Sequence, residues 1–98
     1  MPIIRTIDRV PQYYEKIELN TSGVSQPNQT YREDSNAIFM TVEDNNIRYR
    51  IDGSDPGSVT GHLVYATGNL YLVNPLSLRN LKMIAITNPA TVQLTYYK

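Results

Sequence analysis

The chain has no cysteine and no tryptophan, one phenylalanine and one histidine, and its nine basic and nine acidic side chains cancel. Each shortage excludes something. Without cysteine there are no disulfides, thiolate nucleophiles or cysteine–zinc sites. The same absence is neutral about compartment, because a thiol-free chain folds equally well in reducing and oxidising surroundings. Without a basic excess there is no electrostatic footprint for phosphates or anionic lipid, so neither nucleic acid nor membrane is an expected partner. Arg32, Arg48 and Arg50 could form a local patch, but an ordinary solvated face explains them. No apolar run approaches the ~18 residues of a membrane-spanning helix, and Met1-Pro2-Ile3-Ile4-Arg5 lacks the apolar core of a signal peptide. A soluble chain made in the cytoplasm is therefore expected.

Ninety-eight residues suit one domain with a thin core. No window holds a 3.6-residue period, so what remains is period two. The clearest case is Ile47 to Asp52, where Ile47, Tyr49 and Ile51 alternate with Arg48, Arg50 and Asp52. Such alternation marks a strand with one buried and one wet face. It breaks at Gly53 into a loop with three glycines and Pro56 that ends at Gly61, before His62.

Similar alternation predicts strands over 13–19, 36–43, 62–67, 69–73, 82–87 and 91–97. Asp44-Asn45-Asn46, Gly68 and Asn88-Pro89-Ala90 read as the turns of three hairpins. One helical turn is expected within 74–81, and 20–35 is a long polar loop. The fold class that follows is all-β: an antiparallel, jelly-roll-like sandwich of seven or eight short strands over 13–98. Its expected core is Ile38, Met40, Val42, Ile47, Tyr49, Ile51, Leu70, Leu72, Ile84, Ile86, Val92 and Leu94. Residues 1–12, bounded by Pro2 and Pro11, are either an extended arm lying on a neighbour or an edge strand of the same sandwich. Ile3, Ile4, Ile7 and Val10 are too apolar for a free tail, and with Tyr96 and Tyr97 they are the candidates for an assembly interface.

Chemistry is sparse. Asp52, Ser54 and Asp55 suggest the start of a calcium loop, yet the alternate-position ligands and terminal glutamate of that motif are missing. His62 has no partnered nucleophile or orienting carboxylate. Glu43 and Asp44 form a carboxylate pair at a turn without a shielded cleft. No catalytic residue, metal or cofactor is expected. The loop residues Asp52, Gly53, Asp55, Pro56, Gly61 and His62 remain candidates for binding. Eight tyrosines against one phenylalanine fit either the half-wet boundaries of a thin sandwich or an aromatic platform for sugars or bases.

The stretch Arg48-Tyr49-Arg50-Ile51-Asp52-Gly53-Ser54-Asp55-Pro56, followed by Gly61-His62-Leu63, resembles small proteins of tailed bacteriophages. The likeness continues through Gly68 to Val73, Asn80 to Ile86 and Val92 to Tyr97, and so covers about residues 47–98. It implies a β-sandwich virion component with a structural role, self-associating and docking on other virion proteins. The alternative is a small carbohydrate-binding module using exposed tyrosines and the loops around Ser22 and Ser54. A contiguous exposed apolar patch would favour the first, and a shallow cleft floored by tyrosines the second.

Overall fold

The computed structural model describes residues 9–98. Seven strands and two short helices follow in the order β1 Pro11–Leu19, α1 Gln29–Asp34, β2 Ala37–Glu43, β3 Ile47–Arg50, β4 His62–Val64, β5 Asn69–Leu72, α2 Pro75–Arg79, β6 Lys82–Ala85 and β7 Ala90–Tyr97. Four strands form one sheet, in the order β1-β7-β2-β5, and three form the other, in the order β4-β3-β6. Every pairing between these strands is antiparallel. Ser25 adds an isolated antiparallel bridge to Met83 on the free side of β6, with both backbone bonds made, at 2.8 and 2.9 Å. With that bridge counted as a stub strand, both sheets have the strand order of a jelly roll, and the expected fold class stands.

Alternation locates the strands correctly but not their partners. All three expected hairpins are absent. β2 and β3, β4 and β5, and β6 and β7 are consecutive strands in opposite sheets, so each short link is an arch across the sandwich. The Asp and Asn residues that read as hairpin turns instead tie these arches together. Asn46 Oδ1 accepts from Ala66 N at 2.8 Å, and Asn46 O accepts from Ile86 N at 3.0 Å. Asp44, at φ 75°, accepts from the Thr91 hydroxyl at 2.9 Å. Thr67 N and Gly68 O complete a backbone pair with Val42 at 2.8 and 3.0 Å. The reason is register: β7 takes both sides of the central position in its sheet, pairing Leu94 with Glu15 and with Met40. No place beside β2 or β7 is left for a hairpin partner.

The inner faces meet in a core of Leu19, Ile38, Met40, Val42, Ile47, Leu78, Leu81, Met83, Val92, Leu94 and Tyr96, all at or near zero exposure. Leu72 is buried in the core as expected, whereas Ile84 is buried outside it. Tyr49, Ile51, Leu70 and Ile86 are only half-buried. β3 ends at Arg50, so Ile51 belongs to the loop and packs on the core's margin. Ile84 faces outward, since Met83 and Ala85 on either side fill the core.

Two helical turns are present where one was expected. α2 starts at Pro75, with the Asn74 side chain capping Leu76 N. α1 lies inside the predicted polar loop. Asn28 caps it by accepting from Tyr31 N at 3.1 Å, and its six residues are too few to show a period. Tyrosine fixes it in place. Tyr31 stacks on Tyr13 with centroids 4.3 Å apart and meets Tyr96 edge-on at 5.4 Å. The Tyr96 hydroxyl donates to Glu15, which also accepts from Asn28 N at 2.9 Å. Tyr96 and Tyr97, expected at an assembly surface, are therefore corrected: both are buried within their own chain, at 0% and 7% exposure. Ile3, Ile4 and Ile7 lie outside the described residues. Val10 is exposed, and its carbonyl accepts from Lys98 N at 3.0 Å.

Leu94→Ala should lower unfolding free energy by about 2–5 kcal/mol, the combined loss of burial and opening of a cavity. Ile51→Ala, at the margin, should cost clearly less. Urea unfolding of both variants checks this assignment of the core, which equal losses would contradict.

Candidate functional site

The loop 51–61 and the faces of the two sheets hold the candidate residues. β3 and β6 pair Arg48 with Ile84 and Arg50 with Lys82, which puts three cations on the outer face of the smaller sheet. The loop folds back onto them. Arg48 Nε donates to Ser58 O at 3.1 Å and its Nη1 to Gly61 O at 2.8 Å. Arg50 forms an ion pair with Asp52, and Lys82 Nζ reaches Gly53 O and Asp55 Oδ1, both at 3.1 Å. Arg48 and Arg50, read from sequence as a possible patch, thus serve as loop anchors. Arg32 lies elsewhere, in α1, donating to Pro27 O at 2.6 Å.

The backbone of the loop is as constrained as its side chains. Gly57 and Thr60 exchange backbone bonds at 2.9 and 3.4 Å, and Pro56 is buried. Gly61 has φ 114°, and a Cβ there would stand 2.9 Å from Tyr49 O. Both conditions demand glycine. Gly53 also has positive φ, 86°. His62 opens β4 at the surface, with its ring 5.3 Å from that of Tyr49 opposite.

Five of the six loop candidates are divided between two clefts, and Gly53 lines neither. Asp52, Gly61 and His62 line one of about 380 Å³ together with Arg50 and Ile51. Asp55 and Pro56 line another of about 550 Å³, which they share with Thr21, Ser22, Gln26 and Lys82. The loops around Ser22 and Ser54 are therefore brought to one place. Lys82, which closes that cleft, carries no signal in the sequence beyond its place on a strand. No tyrosine lines either cleft.

No family model, curated protein or solved structure matches the chain.

The outer face of the four-stranded sheet carries the feature that strand reading alone does not reveal. Register aligns Tyr14 with Thr95, Thr95 with Phe39, and Phe39 with Tyr71. These four residues make one row across all four strands. Phe39 and Tyr71 are in ring contact at 4.6 Å, and Tyr14 and Tyr71 are 58% and 42% exposed. Val73, beyond β5, is also exposed. Next to this row runs a polar one of Lys16, Gln93, Thr41 and Asn69. Glu43, half of the carboxylate pair noted in the sequence, accepts from the Gln93 side chain.

Titration of the chain follows from these contacts. The Arg50 guanidinium, with Ser54 N, holds the Asp52 carboxyl below its usual range. The Tyr13 hydroxyl and Lys98 do the same for Asp34. Burial, reinforced by Glu15, pushes the Tyr96 phenol far up, and burial alone raises Tyr49.

Two outcomes follow. Gly61→Ala should destabilise by more than about 1 kcal/mol, the cost of a side chain at a positive φ, with Gly57→Ala as the milder comparison in the same urea series. Stability should also fall at both ends of the pH scale. A depressed carboxyl lends stability above its unfolded value, near 4, and loses it as pH drops through the folded value. A raised phenol lends stability below about 10 and loses it above. Unfolding midpoints from pH 2 to 11 check this, with Asp52→Asn flattening the acid limb and Tyr96→Phe the alkaline one.

Proposed function

We propose that this chain is a non-enzymatic structural protein of a phage-type virion, one that self-associates and docks on a larger assembly. The observation that carries the reading is the outer-face row of the four-stranded sheet, Tyr14, Thr95, Phe39 and Tyr71, in which Tyr14 and Tyr71 are exposed and Phe39 is half-buried. A face with aromatic rings left in water, bordered by a polar row, is what a protein partner covers. A β-sandwich is the architecture that the phage resemblance implies. His62 stands at the surface against Tyr49, and Asp52 is held by Arg50, so neither is arranged as a general base with a nucleophile.

A carbohydrate-binding module is the second reading. The cleft between Thr21–Gln26 and Asp55–Pro56 favours it, since its size and mixed lining suit a small polyhydroxyl ligand. Against it, none of the exposed tyrosines lies there.

Light scattering at tens of micromolar should give a mass above the 11.2 kDa of one chain. An 11 kDa species would count against self-association. Amide shifts at Ser22, Asp55 and Lys82 on titration with common hexoses would favour the second reading instead.

A further inference from the structure

We propose that two copies of this chain pair through β1, antiparallel, about a two-fold axis at Ile17. The inference rests on the self-association reading above and names its surface. β1 is the longest strand, nine residues, yet it lies at the edge of its sheet and pairs with β7 alone. Natural edge strands are usually kept short, broken or covered, because their outward N–H and C=O groups invite another strand. Here Pro11 and the register irregularity between Pro11 and Tyr13 disturb only the first residues. From Tyr14 to Leu19 the ladder to β7 is regular, and among the described residues no backbone group bonds to the free side of the strand.

The second copy is chosen as the occupant because the charges within the regular stretch, Tyr14 to Leu19, favour one two-fold register. In a two-fold antiparallel pair, residues opposite one another share a face, so one residue must lie opposite itself. Centring on Glu15 sets two carboxylates together, centring on Lys16 two ammonium groups, and centring on Glu18 two carboxylates again. Like charges directly opposite are unfavourable. Centring on Ile17 sets Ile17 against Ile17, and each Lys16 against the partner's Glu18, twice over. Lys16 and Glu18 are both exposed on the outer face, and Ile17 is only half-buried on the inner one, so all three are accessible to a second copy. The joined sheet would have eight strands, with the aromatic rows of both copies on one continuous face.

The chain lacks cysteine, so single cysteines report the register directly. Ile17→Cys should cross-link as a homodimer under mild oxidation more completely than Glu15→Cys, Lys16→Cys or Glu18→Cys. A charge exchange tests the same geometry without covalent chemistry. Lys16→Glu leaves two acids flanking Ile17, and Glu18→Lys leaves two bases. Each variant alone should weaken the two-fold association about tenfold or more. An equimolar mixture of the two should restore it as a heterodimer, seen by native mass spectrometry. Wild-type association by either variant alone, no recovery in the mixture, or cross-linking that peaks away from position 17 would overturn the proposal. If the unmodified chain is still larger than 11 kDa in those cases, the self-association reading survives and this edge does not. If it is monomeric, both fall.

Discussion

Four passages between the sheets at one end of the sandwich hold this fold together: 20–24, 44–46, 65–68 and 86–89. Each is short, and a short link can cross only if the strands it joins end at the same height. Their polar groups enforce that condition. Asn46 bonds to the passages at 66 and 86, the Asn45 side chain to Pro89 O, and Thr21 N to Asn88. Buried or half-buried backbone groups at an arch would otherwise go unpaired, and each would cost about 1–3 kcal/mol. The consequence runs the length of the strands. With one end fixed, the registers of β2, β3, β6 and β7 are fixed, and so are the faces on which their side chains emerge.

The opposite end is closed differently, by aromatic packing and not by backbone arches. α1, α2 and the loop 51–61 lie there, where the links are long. α1 is pinned by the Tyr13, Tyr31 and Tyr96 rings and by Glu15, which takes both the Tyr96 hydroxyl and Asn28 N. This accounts for much of the excess of tyrosine over phenylalanine. A phenylalanine at 96 would pack as well but leave the Glu15 carboxylate without its hydroxyl partner.

Strand positions were legible because alternation is a local property, and Ile38, Met40, Val42, Val92 and Leu94 could be assigned inward from it. Partners were not legible, because period two says which face a residue takes and nothing about which strand lies beside it. Asp44-Asn45-Asn46 illustrates the limit: the same residue types suit a hairpin turn and an arch, and only the competition for places beside β7 decides. α1 gave one usable sign, Asn28 three residues before Tyr31, which is weak when the helix has six residues. Tyr96 and Tyr97 misled because a terminal strand looks like an edge, whereas β7 lies between β1 and β2. The row Tyr14–Phe39–Tyr71 draws on three strands far apart in the chain, so no window of sequence contains it.

The two outer faces differ in what meets their side chains. On the smaller sheet, Arg48, Arg50 and Lys82 are each met by a carbonyl or carboxylate of the loop that follows β3, and Ile84 is 9% exposed. The loop thus engages the cations of that face, while Leu63, opposite Arg48 on β4, stays exposed. On the larger sheet no described segment supplies an equivalent cover, and Tyr14, Tyr71 and Val73 remain in contact with water. The contrast follows from connectivity: the long link after β3 folds back on the cations of its own sheet, whereas the row of Tyr14, Thr95, Phe39 and Tyr71 is met by no comparable link among the described residues.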